Sequence, residues 1–147
     1  METLTYREGD KEITLKFERL TMEHEDEWED SLRRKIRQEA MADGSAMGLR
    51  GRELAEFVAP INLATSAGQC AFITPNGAHH AQTPWGIRKI LSLASRHHHA
   101  APFIPDDVIR KVWAANIKEA NRIAAACLPF QTEDDEKKPN GQEGGQT

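Results

Sequence analysis

The chain has little of what usually announces chemistry. Its 147 residues include two cysteines and one tyrosine, and no stretch approaches the roughly 18 consecutive apolar residues of a membrane span. Cys70 and Cys127 both sit in mainly apolar neighbourhoods, which suits buried thiols in a reducing compartment better than a disulfide scaffold; a single disulfide between them stays open. The opening METLTYREGDK lacks the apolar core of a secretory signal, so a soluble, cytoplasmic protein is expected. An excess of positive charge is missing too. With 19 basic and 23 acidic residues the formal charge is −4 and the isoelectric point is near 5.9. No global field would draw in nucleic acid or an anionic membrane, so such binding would need a local patch.

Catalytic signatures are absent as well. Gly9, Gly44, Gly48 and Gly51 fit neither G-x-G-x-x-G nor G-x-x-x-x-G-K-[ST], Ser66 in TSAGQ is not a G-x-S-x-G elbow, and no H-E-x-x-H occurs. Cys70 with His79 or His80 has no recognisable nucleophile signature, and packing explains it better. His97, His98 and His99 point about 100° apart on a helix, so they cannot converge on one ion without unwound backbone. At a helix C-terminus their ordinary role is to meet the last carbonyls. His79 and His80, read as a strand pair, face opposite sides. Asp106 and Asp107 are explained by the positive end of a helix. The sequence therefore designates no catalytic, cofactor-binding or metal-ligating residue, implies no cofactor, and leaves the partner-binding residues unknown.

What is present reads as a modest core. Apolar residues make up 39% of the chain and mean hydropathy is −0.63, yet three tryptophans, five phenylalanines and clustered Leu, Ile and Val argue against a wholly disordered polymer. A hairpin is predicted over residues 3–20: Leu4 and Tyr6, a turn at Glu8 to Lys11, then Ile13, Leu15 and Phe17 alternating with polar residues. Isolated hairpins are marginal, so this apolar face needs a partner. Thr21 caps a helix over about 22–42, acidic in its first turns and basic after, with Glu29–Arg33 and Asp30–Arg34 as i,i+4 pairs and Trp28, Leu32 and Ile36 on one face. Glycines over 42–51 predict an exposed loop or a helix break, and a short helix over 53–59 should end at Pro60.

Cys70 to Thr74 against Ala78 to Gln82, across Pro75-Asn76-Gly77, reads as a second hairpin. Thr83 and Pro84 open a helix over 84–99, with Ile87, Ile90, Leu91 and Ala94 in helical register. A last helix over 105–128 carries Ile109, Val112, Trp113, Asn116, Ile117, Ala120, Ile123, Ala124 and Cys127 as one broad stripe. Residues 131–147 lack large apolar groups and are expected to be a disordered acidic tail. The fold class is thus α+β, mainly α-helical: an N-terminal β-hairpin packed on a small helical bundle, with residues 1–130 as a single globular domain and a disordered C-terminal tail. Arg110, Lys111, Asn116, Lys118, Asn121 and Arg122 resemble a recognition face, but the acidic first turn of that helix would repel phosphate.

Taken in order, "EITLKFERLTMEHEDEWED", a variable middle, "PWGIRKILSLASRHHHAAPFIPDDVIRKVWAANIKEANRIAAAC" and an acidic tail resemble the layout of the tail assembly chaperones of long-tailed bacteriophages. Residues 61–80 depart from that layout. The resemblance implies a non-enzymatic protein in the cytoplasm of an infected bacterial host. It would bind the tape measure protein and the tail tube protein during virion morphogenesis, with self-association left open and no membrane or nucleic-acid partner. It also implies that the C-terminal tail is the end of the shorter of two frameshift products. The alternatives are another small phage structural protein, such as a tail completion or connector component, or a helical DNA-binding regulatory module.

Overall fold

The computed structural model describes residues 1–96 and 104–129. In chain order it contains strands β1 (Glu2–Glu8) and β2 (Lys11–Phe17) and helices α1 (Met22–Ala46), α2 (Gly51–Ala64), α3 (Pro75–Ala81), α4 (Pro84–Ser95), α5 (Asp106–Ala115) and α6 (Ile117–Ala126). The α+β class with an N-terminal hairpin and a helical majority is as expected. The chain divides into two compact units. One comprises Met1–Thr21 and the described residues from Ile87 on, and the other is Met22–Gly86. The tail over 131–147 and His97, His98 and His99 lie outside the described residues.

In the first unit, β1 and β2 pair antiparallel around a turn in which Gly9 takes a φ of 62°, a left-handed conformation that favours glycine. The register sets Leu4 opposite Leu15, Tyr6 opposite Ile13 and Glu2 opposite Phe17. Period-two alternation turns Leu4, Leu15 and Phe17 to the interior, while Thr5 and Thr14 pair outside through their hydroxyls at 3.2 Å. Strand β1 lies against α5 and α6, and the chain leaving β2 is stitched on by backbone bonds: Glu18 N–H donates to Ala94 (3.1 Å) and Leu20 N–H to Cys127 (2.8 Å). Ile90, Leu91, Leu93, Ile109, Val112, Ile123 and Cys127 complete the buried core of this unit.

The single helix expected over 105–128 is two. Asn116 leaves helical geometry at φ −142° and ψ 52°, and Ala120 N–H restarts the ladder on the Asn116 carbonyl at 2.8 Å. Asparagine is a weak helix former, and the break bends the two short helices so that both reach β1. The indole N–H of Trp113 spans the joint to Asn121 Oδ1 at 3.1 Å.

In the second unit, Trp28 and Leu32 of α1 are fully buried. The Trp28 ring stacks on Phe72 with centroids 4.5 Å apart, lies 5.5 Å from Trp85, and its N–H donates to the Cys70 carbonyl at 3.2 Å. Lys35 stands 5.5 Å above the Trp85 ring. The expected Glu29–Arg33 and Asp30–Arg34 pairs do not form. Arg33 binds Asp30 instead (2.9 Å) because its guanidinium is drawn to a backbone carbonyl beyond α1, and Lys35 pairs with Glu39.

The second hairpin is replaced by helix α3. The reason is local and occurs twice, in Thr74-Pro75-Asn76-Gly77 and in Thr83-Pro84-Trp85-Gly86. Each threonine hydroxyl accepts from the glycine N–H three residues on, at 3.1 Å in both cases. Each also donates backwards, to the Ala71 carbonyl at 2.6 Å and the His80 carbonyl at 2.7 Å. Proline then occupies the first helical position, where its missing N–H costs nothing. Space, not positive φ, dictates the glycines: a Cβ at Gly77 would sit 1.9 Å from the Ala71 oxygen, and one at Gly86 would sit 1.8 Å from the His80 oxygen.

Candidate interaction surface

Helix α2 runs past its expected end at Pro60, to Ala64. Proline deprives the Glu56 carbonyl of its i+4 donor, yet the helix continues because α1 holds its far end. Arg37 Nη2 donates to the Asn62 carbonyl (3.0 Å) and Arg37 Nε to Thr65 Oγ1 (2.9 Å), while Arg33 Nε donates to the Thr65 carbonyl (2.7 Å). Thr65 in turn donates from its hydroxyl to the Ile61 carbonyl at 2.7 Å. Two guanidinium groups thus satisfy terminal carbonyls and sit at the negative end of the helix dipole. At the other end the helices approach over Gly44, where a Cβ would lie 2.6 Å from Leu54 Cδ1 and 2.9 Å from Phe57 Cδ2.

This anchoring uses only one edge of α2. Val58 is buried and Leu54 and Ile61 are half-buried, whereas Ala55, Phe57, Ala59, Pro60, Leu63 and Ala64 face outward. From Phe57 to Ala64 there is no charged side chain, yet Leu63 is 75% exposed and Phe57 37%. Met41 and Met47, on the end of α1 that flanks Gly44 and on the turn after it, are 45% and 65% exposed. Flexible thioethers near the uncharged second half of α2 suit a surface that adapts to a helical partner.

The residues singled out in the sequence go elsewhere. The broad stripe on the last helix is spent internally: Ile109, Val112, Ala120, Ile123, Ala124 and Cys127 are buried, and Ile117 alone among its large aliphatic members is open. His79 and His80 belong to α3, not a strand. Their rings meet edge to face at 5.1 Å, and His80 Nδ1 lies 2.9 Å from the Asn76 carbonyl, a helix-internal hydrogen bond. Among the described residues no three His, Cys, Asp or Glu side chains gather to hold a metal ion. Asp106 and Asp107 stand in the first turn of α5, and Ser66 donates to the Leu63 carbonyl at 2.9 Å. Both thiols are buried, and burial raises both; Cys127 is pushed up to about 11, with nearby Glu2 adding to the effect. They are protonated at neutral pH and poor nucleophiles.

Of the basic residues on the last helices, Lys111 is held by Glu8 at 2.9 Å, and Arg122 by Glu2 at 2.9 Å and Glu119 at 2.6 Å. The hydrogen bond from Arg122 holds the Glu119 carboxyl below its usual range. These surface pairs engage two of the four cationic side chains of that face, Lys111 and Arg122 but not Arg110 and Lys118, which weakens the recognition-face reading. No described helix is long and apolar enough to cross a membrane. No family model, curated protein or solved structure matches the chain. The α2 surface was missed in the sequence because Pro60 read as a stop; the signal that would have found it is the uncharged run Phe57 to Ala64 after a helix start.

Proposed function

We propose that this chain is a non-enzymatic assembly chaperone whose α2 face shields an apolar helix of a client protein. The layout it shares with the tail assembly chaperones of long-tailed phages suggests the client: the tape measure protein, with the tail tube protein recruited alongside, in the cytoplasm of an infected bacterial host. The observation that carries the reading is the outward half of α2. A helix clamped by two arginines at one end and closely packed at the other still exposes Leu63, Phe57 and the small apolar residues between them. Such a surface suits an amphipathic helix laid along it, with the charged remainder of the molecule keeping the pair in solution.

Co-expression of the full chain with a candidate tape measure protein tests this. The expected result is a complex that co-purifies, loses at least ten-fold in yield with Leu63→Asp, and leaves the helical circular dichroism of that variant unchanged. Capture of duplex DNA in place of a helical client, with affinity falling steeply as salt rises, would overturn the reading.

A further inference from the structure

We propose that the α2 face is also where a second copy of this chain docks, the two α2 helices running antiparallel about a twofold axis that crosses the exposed side of the helix between Arg52 and Glu56. The inference concerns the same surface as the client reading but does not depend on any client. Arg52, Glu56, Ala59 and Leu63 follow one another at i, i+4, i+7 and i+11, which places them on a single stripe, and all four are exposed. Arg52 and Glu56 form no ion pair within the described chain, although four residues separate them.

The stripe is self-complementary only in one sense. A twofold axis midway between residues 52 and 56 sets Arg52 of each copy across from Glu56 of the other, and the symmetry makes that pair twice. The same axis leaves Leu63 about 13 Å away along the helix. It therefore lies beyond the N-terminus of the opposing α2, over the turn that carries exposed Met47 and half-buried Leu49. A parallel arrangement would set Arg52 against Arg52 and is disfavoured by its charges. One helix pair is small for an interface, so the dimer should dissociate in the micromolar range.

Sedimentation of the full chain alone, from about 1 to 200 μM, tests the pairing. Wild type should shift from monomer to dimer across that range. Arg52→Glu and Glu56→Arg should each weaken association roughly 30-fold, because each turns two attractions into two repulsions. The double variant should recover it, and an equimolar mixture of the two single variants should form a heterodimer about as tight as the wild-type dimer, although each alone associates far more weakly. All four positions are exposed, so circular dichroism should match wild type throughout. A wild-type monomer at 200 μM, or single variants that associate as wild type does, would overturn the proposal. So would a double variant that fails to recover. Loss of the dimer with retained client capture would leave the chaperone reading standing, and the reverse would leave the dimer.

Discussion

Gly77→Ala puts the Thr-Pro-x-Gly reading at risk. Inside a helix, alanine is ordinarily better than glycine by about 1 kcal/mol, so propensity alone predicts stabilisation. The surroundings predict the opposite. The new Cβ would stand 1.9 Å from the Ala71 oxygen and 2.5 Å from its carbonyl carbon, both backbone atoms with no rotamer to change. That carbonyl is held by the Thr74 N–H at 2.9 Å and the Thr74 hydroxyl at 2.6 Å, and the same hydroxyl caps Gly77. Relieving the clash therefore breaks the cap as well. Overpacking of this kind costs about 1–3 kcal/mol and a lost threonine cap about 1 kcal/mol. After subtracting the propensity gain, a net loss of roughly 1–3 kcal/mol is expected. Urea denaturation followed by tryptophan fluorescence reads it directly, since Trp28 and Trp85 both lie in this unit. Gly86→Ala, with its Cβ at 1.8 Å from the His80 oxygen, should behave alike. Unchanged or improved stability in both variants would refute the reasoning.

Removing the guanidinium clamp should loosen the far end of α2: Arg37→Met gives up two hydrogen bonds from a charged donor and should cost roughly 1.5–3 kcal/mol, with faster amide exchange at the end of α2 as the local readout. Pro60→Ala should stabilise the chain by about 1–3 kcal/mol, because it returns a donor to the Glu56 carbonyl; a loss of stability would mean that the proline ring is itself a packing element. Burial raises Cys127 from 9.0 to about 11, so its contribution is fully present below pH 9 and is lost as pH rises from 9 through 11. That loss is about 3 kcal/mol. Stability measured across this window should fall less steeply in Cys127→Ala than in wild type, and equal slopes would exclude the thiol as the cause.

The sequence is most legible where one rule acts alone. Alternation of Leu15 and Phe17 with polar neighbours specified the hairpin face, and the spacing of Ile87, Ile90, Leu91 and Ala94 specified α4. It misleads where two local rules compete. Pro75-Asn76-Gly77 is as good a turn as a helix start, and only the hydroxyl of Thr74, reaching both Gly77 N–H and the Ala71 carbonyl, decides for the helix. The identical frame at Thr83-Pro84 is legible as a helix start because an apolar periodic run follows it, whereas His79 and His80 offer none. Pro60 was read as a terminator because its own cost is local, while the arginines that offset it stand 23 or more residues earlier in the chain. Asn116 breaks a periodic stripe that continues in phase on both sides, and periodicity is blind to such a break. The acidic and basic blocks of α1 were legible as blocks but not as pairs, since Arg33 chooses its partner through a tertiary carbonyl.

The departures from local rules are not spread evenly. Helix α3 carries a side-chain N-cap with proline at its first position, and the same four-residue frame opens α4. Helix α2 begins on Arg50 without a side-chain cap, holds a proline in its interior and exposes leucine at 75%. Each feature costs stability, and none is needed to bury Val58, the only residue the helix commits fully to the interior. A chain selected for folding alone would replace Pro60 and Leu63 with charged helix formers at no cost to the core. Sequences that are locally consistent elsewhere break such rules where a surface has another task. The arginine clamp fits the same logic, for it makes an otherwise poor helix rigid enough to present its outer face in one conformation. A partner helix then meets a surface already ordered, and less of the binding energy goes into ordering it.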